Sequence, residues 1–395
     1  MNKKQTLFIY LFIGVLFISM TYFREAWFTQ NATGLWLYRF LAMGSLIWMA
    51  GVLGKSIGKN GMWVGILLLF CVEMGFAMLF GLVKSGHKLP ENLTSFLGYI
   101  YLFHCRDYIV YDESRGQYDK DLFYTLKSGE FQYDNMEFST QYKVNSAGFR
   151  DDESSLDFPQ IIFLGDSYTM GWGVEQDESF AAILENKLNK KSLNAGIASY
   201  GTAREYLAFE KIKQDSCQLV VLQFCPNDKT ENNSFVKSNF ELNISPEEKF
   251  KKEIIWNKLY QVYFPIKYVH SAIHFFVQKL MFISNFTGQN KSMTPDGISE
   301  EAISDFFMIV EKIKSSFNGR IIIFNLGMNV TKPEINEQFK TWLKVNPLEG
   351  VYVFPSTDYL SKEDYLTLDT HLKVSGNQKL ADGLKEFILR HKLID

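Results

Sequence analysis

The stretch Gln160-Ile161-Ile162-Phe163-Leu164-Gly165-Asp166-Ser167 decides the fold. A short, unbroken apolar run with β-branched residues, closed by glycine, is the pattern of a strand buried on both faces. The pattern recurs downstream. Leu193 to Ile197, Leu219 to Phe224, Gly319 to Phe324 and Val351 to Phe354 read as four further strands. Helical stretches lie between them: Glu178 to Lys190, Thr202 to Lys213, Ser299 to Phe317, Pro333 to Val345 and Ser375 to His391. Ser299 stands as an N-cap before Glu300 and Glu301. Strand alternating with helix calls for a parallel sheet covered on both faces. The expected fold class is therefore α/β, a doubly wound, flavodoxin-like α/β/α sandwich. Ligands in such folds bind beyond the carboxyl ends of the strands.

That rule directs attention to the strand ends. Ser167 follows the first strand directly, on the turn into a helix. A serine hydroxyl is a weak nucleophile and needs a base and an oxyanion-stabilising group. Taken alone, Gly-Asp-Ser fits a turn with an N-cap serine as well as it fits a nucleophile. Asp369-Thr370-His371 lies just before the last helix, and a carboxylate beside an imidazole fixes its tautomer and stabilises the imidazolium. The remaining histidines, His87, His104, His270, His274 and His391, have no comparable neighbourhood. Cys225-Pro226-Asn227-Asp228 follows the third strand. The Asn227 amide is a possible oxyanion donor, and the same residues are also ordinary turn chemistry. The second strand ends in Asn194 to Gly201, whose glycines permit close backbone approach. In a doubly wound sheet these loops converge on one rim.

On these residues, the chain from about 144 to 391 resembles the SGNH (GDSL-type) hydrolase superfamily. Its first block is similar to Ile162-Phe163-Leu164-Gly165-Asp166-Ser167-Tyr168-Thr169-Met170-Gly171. The resemblance implies that Ser167 is the nucleophile and donates an oxyanion N–H. It implies that Asn227 is the third-block asparagine and that Asp369 and His371 are the last-block pair. Leu372 to Ala381 resembles the start of the family's final helix, and Asn145-Ser146-Ala147-Gly148-Phe149-Arg150 resembles a segment common before this domain in envelope members. There are departures. Ser199 aligns with the second-block glycine that gives an oxyanion N–H, and Cys225 stands where the third block usually has glycine. Asp-x-His replaces the commoner Asp-x-x-His. It is similar to the spacing in SGNH-like O-acetyltransferases of exopolysaccharide biosynthesis and in some esterases, so hydrolysis and transfer are both open.

Upstream the character changes. Three apolar runs, Gln5 to Phe23, Thr33 to Gly54 and Met62 to Val83, each reach the ~20 residues needed to cross a bilayer. They are expected to be three transmembrane helices, with Phe23-Arg24-Glu25-Ala26-Trp27 as an interfacial flank. Lys3, Lys4, Lys55 and Lys59 place the N-terminus and the second loop in the cytoplasm, so everything after Val83 is expected outside, in the periplasm or at the surface of a bacterial cell. Arg39 and Glu73 lie within these runs and are expected to pair across a helix interface. The expected domains are 1–83 in the membrane, 84–150 as an extracytoplasmic lead-in, and 151–395 as the catalytic domain. The last carries a helical insertion over 229–298, whose aromatic centre, 254–280, reads as a lid or core.

The 395 residues are 47% hydrophobic and carry a net charge of −3. That balance excludes nucleic acid, which calls for a basic face. Cys71, Cys105, Cys217 and Cys225 form no CxxC pair, so neither a structural zinc site nor a disulfide framework is indicated, and Cys71 reads as a small core residue. No cofactor or metal is expected. The leading expectation is a serine-dependent ester hydrolase acting on O-acyl, above all O-acetyl, groups of an envelope glycan or lipid at the cytoplasmic membrane. The alternatives are an O-acyltransferase modifying an exported polysaccharide and a non-catalytic SGNH-like binding or assembly protein. Protein partners are not legible.

Overall fold

The computed structural model of the protein describes residues 3–23, 30–286, 298–327 and 333–394. The proposed flank Arg24 to Trp27 lies outside them. The chain divides into two compact units, 1–106 with 255–290, and 107–254 with 291–395.

In the second unit, two antiparallel hairpins come first: β1 (Gly116–Asp119) with β2 (Phe123–Leu126), and β3 (Gly129–Asp134) with β4 (Ser139–Val144). A five-stranded parallel sheet follows, built from β5 (Ile161–Leu164), β6 (Ser192–Asn194), β7 (Leu219–Phe224), β8 (Arg320–Asn325) and β9 (Val351–Val353). Its order is β6-β5-β7-β8-β9, the flavodoxin-like doubly wound order.

The alternation of side chains along a strand explains why these runs are apolar throughout. Ile162, Leu164, Val220, Leu222, Ile321 and Ile323 join one core with Phe306, Phe307 and Phe339. Their neighbours Ile161, Phe163, Leu219, Val221, Ile322 and Phe324 join a second core with Phe180, Leu184, Leu380 and Leu384. Helices 202–209, 300–316 and 333–345 cover the first face, and 180–188 and 374–391 cover the second. Fully burying each such side chain contributes roughly 1.5–3 kcal/mol.

Two elements stop well before the ends that their patterns predict, at Asn194 rather than Ile197 and at Phe209 rather than Lys213. β6 ends at Asn194, whose side chain accepts from Gly196 N–H and donates to the Thr169 carbonyl, turning the strand into its loop. Helix Thr202–Phe209 ends where Gln214 Nε2 takes the Phe209 carbonyl.

The first unit holds helices Lys3–Phe23, Ala32–Lys55, Gly61–Lys84, Glu91–His104 and Lys267–Phe286. Two of them, Ala32–Lys55 and Gly61–Lys84, are long and apolar enough to cross a membrane. The expected third span is corrected. Helix Lys3–Phe23 opens on Lys3, Lys4, Gln5 and Thr6 and is not one of the two. The two long helices meet through glycine: a Cβ on Gly61 would lie 1.8 Å from the Gly54 carbonyl oxygen. Arg39 and Glu73 do not pair. Glu73 accepts from the Tyr268 and Val269 N–H groups at 3.1 and 2.9 Å, capping helix Lys267–Phe286, and from the Tyr263 hydroxyl. Arg39 Nη2 donates to the Leu259 carbonyl at 2.7 Å, near the end of helix Glu247–Gln261. Cys71 is exposed rather than core, because its helix is apolar all round and pattern alone does not choose the buried face.

Candidate active site

The turn after β5 is fixed from several sides. A Cβ on Gly165 would lie 2.1 Å from Thr169 Oγ1 and 2.6 Å from Gln223 Oε1, so only glycine fits. Asp166 caps the four-residue helix Ser167–Met170, its Oδ1 accepting from Tyr168 N–H at 3.0 Å. Gln223, from the interior of β7, accepts from Asp166 N–H at 3.1 Å and from the Thr169 hydroxyl at 3.0 Å, and donates to the Leu326 carbonyl. Ser167 thus starts its helix from a rigid base at the carboxyl edge of the sheet.

His371 and Asp369 reach it from a loop just before helix Val374–His391. His371 Nε2 lies 2.7 Å from Ser167 Oγ, and His371 Nδ1 lies 2.5 Å from Asp369 Oδ1. Asp369 Oδ2 takes the Trp172 indole N–H at 3.0 Å. Asp369 is fully buried, while His371 and Ser167 are 3% and 8% exposed. The imidazole lies between Tyr168, at a centroid distance of 4.6 Å, and Trp172, at 5.1 Å. The Tyr168 hydroxyl donates to the Thr370 carbonyl, tying the two loops together. Behind Trp172, Arg150 donates to the carbonyls of Gly171 and Val174 and lies 3.6 Å over the Tyr142 ring. Arg150 therefore holds the 171–174 loop in place.

Ser199 and Asn227 follow β6 and β7, the strands on either side of β5. Both line an open cavity of about 470 Å³ with Tyr111, Phe123, Tyr124 and Arg204. Ser199 has φ +62°, a left-handed conformation that favours glycine. Its carbonyl accepts from Arg204 Nη2 at 2.6 Å and from the Tyr124 hydroxyl. Ser167, Asp369 and His371 thus form one hydrogen-bonded chain, and Ser199 and Asn227 share one cavity.

Below this rim lies an acidic cluster. Asp228 Oδ2 accepts from Cys225 N–H and the Thr202 hydroxyl. Neither carboxyl oxygen of Glu205 has a hydrogen-bond partner among the described residues. Burial pushes both carboxyls well above the usual range; the Asp228 charge adds to the shift of Glu205, and the Asp166 charge to that of Asp228. Burial likewise pushes up the Cys225 thiol. Among the described residues, no group of three or more His, Cys, Asp or Glu side chains is arranged to hold a metal ion.

Sequence reading did not reach Trp172, Gln223 or Glu137, whose carboxylate lies under the Asp369 loop. Gln223 had a signal, a polar residue inside an otherwise apolar strand. Trp172 stands one residue beyond the first block. Glu137 had none, because its partners lie some 230 residues away.

No family model and no curated protein matches the chain. Solved structures do. One, described as a lipolytic protein of the G-D-S-L family from Desulfitobacterium hafniense, is 14% identical over 57% of this chain and 97% of its own, with a TM-score of 0.32. A carbohydrate esterase described as having an active site with divergent catalytic and non-catalytic binding functions is 15% identical over 59% of this chain and 65% of its own, with a TM-score of 0.33. An acetyl xylan esterase from the rumen bacterium Butyrivibrio proteoclasticus is 14% identical over 59% of this chain and 64% of its own, with a TM-score of 0.30.

Proposed function

We propose that the protein is a serine-dependent ester hydrolase acting on O-acyl groups, above all O-acetyl groups, of an envelope glycan or lipid. The observation that carries this reading is the chain Ser167–His371–Asp369, with contacts of 2.7 and 2.5 Å at the carboxyl edge of the sheet. Ser167 Oγ attacks the ester carbonyl carbon while His371 Nε2 takes its proton. Asp369 holds Nδ1 and stabilises the imidazolium. The tetrahedral oxyanion is met by the N–H groups of Ser167 and Ser199 and by the Asn227 amide. Collapse passes the proton from His371 to the leaving alcohol. Water, deprotonated by His371, then attacks the acyl-serine, releasing the carboxylic acid and restoring Ser167. The test is hydrolysis of a short-chain aryl ester by the full-length protein against Ser167→Ala. A loss of several orders of magnitude is expected, and equal rates would sink the reading.

A second reading, O-acyl transfer to an exported polysaccharide, draws on the Asp369-x-His371 spacing and on the near-complete burial of His371, which limits competing water. Adding candidate glycan to donor ester separates the two, because a hydrolase partitions its product without regard to the glycan.

We place helices Ala32–Lys55 and Gly61–Lys84 in the cytoplasmic membrane. Lys55, at the end of helix Ala32–Lys55, and Lys59, in the loop before helix Gly61–Lys84, favour a cytoplasmic loop, which puts the chain beyond Lys84 outside. A phosphatase reporter fused after Lys88 would then be active only if that point is exported; an inactive, well-expressed fusion would reverse the orientation.

A further inference from the structure

The loop that carries Asp369 and His371 is held by a residue from a distant part of the chain. Thr367 N–H donates to Glu137 Oε1, and the N–H groups of Leu368 and Asp369 both donate to Oε2, each at 2.7 Å. Three consecutive N–H groups converging on one carboxylate form an anion nest with charge-assisted bonds. Glu137 lies in the turn between β3 and β4. The same hairpin also braces Trp172, through Tyr133 and Phe138 at centroid distances of 5.1 and 6.2 Å. One hairpin therefore supports both Trp172 and the loop presenting the acid–base pair.

The chemistry of the pin is informative. Burial pushes the Glu137 carboxyl up, the three N–H bonds pull it down, and Asp369 is the neighbouring charge that pushes it up further. A second carboxylate beside Asp369 is unfavourable for a purely mechanical pin. It is favourable for a site that must accumulate positive charge on His371. On the surrounding elements the titratable and charged groups are Glu130, Tyr133, Asp134, Tyr142 and Lys143 on the same hairpin, Arg115 and Arg150 over its tyrosine rings, Asp369 and His371 on the pinned loop, and Tyr168 on the nucleophile helix.

Resting on the serine-nucleophile reading, we infer that Glu137 is a positioning residue for catalysis: it sets the Asp369–His371 loop against Ser167, and its charge favours the imidazolium.

The test uses the full-length protein in detergent. Wild type and Ser167→Ala are first compared by fluorophosphonate labelling, and then Glu137→Gln, Glu137→Ala and Glu137→Asp by ester hydrolysis across pH. For Glu137→Gln, kcat is expected to fall by about 100-fold with KM little changed, the scale of an ångström-level misplacement. Loss of a negative charge near the imidazole disfavours its protonated form, so the acid limb of the kcat/KM profile moves to lower pH. Formate, which fits the vacated nest, is expected to restore part of the Glu137→Ala activity. Folded variants with wild-type kcat would overturn the inference. So would a loss of rate that tracks a lowered Tm while the acid limb stays in place. If the first two variants do not fold, Glu137→Asp keeps the charge but shortens its reach, and a wild-type kcat there overturns the inference as well. A wild type inert to the probe would instead overturn the nucleophile reading, and this inference with it.

Discussion

Trp172 lies face to face with His371, ring centroids 5.1 Å apart and planes 21° from parallel. The same indole donates to Asp369, so one side chain restrains both partners of the acid–base pair. Trp172→Phe keeps an aromatic face but leaves Asp369 Oδ2 without that donor in a fully buried position. A stability loss of roughly 1–3 kcal/mol is expected, together with a reduced kcat. Calorimetry and ester hydrolysis check the two effects, and an unchanged kcat would show that Trp172 only fills space.

Gly165 is expected to tolerate no side chain. The Cβ of Gly165→Ala would fall within 2.6 Å of both Thr169 Oγ1 and Gln223 Oε1, the groups that anchor the nucleophile turn. Overpacking of this kind costs roughly 1–3 kcal/mol. The variant should lose fluorophosphonate labelling even at temperatures where circular dichroism reports a folded chain. Full labelling would mean the turn can shift without disturbing Ser167.

Ser199 holds a conformation that suits glycine. Ser199→Gly should therefore be more stable than Ser199→Val by roughly 1–2 kcal/mol. Ser199→Gly should also retain activity, because the backbone N–H is unchanged. Paired denaturation curves decide the first point, and equal stabilities would refute it.

Glu205 links stability to pH. Its carboxyl is held above its unfolded value by burial, so the folded state keeps a proton that the unfolded chain gives up. That contribution is complete below the unfolded value and is lost as pH rises through the folded one. Glu205→Gln removes the dependence, so its Tm should exceed that of wild type by more at pH 8 than at pH 5. The opposite trend would mean that the buried acid is ionised in the native state.

Much of this architecture was legible in the sequence. Ile161–Leu164 and Leu219–Phe224 could be read as buried strands because both faces of a parallel sheet demand apolar residues. The hydrogen-bonded chain of Ser167, His371 and Asp369 was legible because each stands at an element boundary, where the sequence marks turns. Glu137 and Trp172 were not, since their roles depend on tertiary neighbours rather than on local pattern. The Glu73 contacts were missed for a related reason. A carboxylate in an apolar run announces that it needs a partner, but the partner was the start of helix Lys267–Phe286, nearly two hundred residues away.

The return of residues 255–290 to the unit formed by 1–106 has a consequence for biosynthesis. A ribosome releases the helices of the first unit long before it makes the segment that completes them. Until residue 276 has been synthesised, Glu73 and Phe96 wait for the full set of their partners, the N–H groups of Tyr268 and Val269 and the rings of Phe275 and Phe276. Pairings so distant in sequence form late. A chain stalled or cut between 107 and 254 therefore leaves an unfinished helical unit, and removing residues 1–106 alone strands helix Lys267–Phe286 without its partners. A stable soluble fragment requires two excisions, not one.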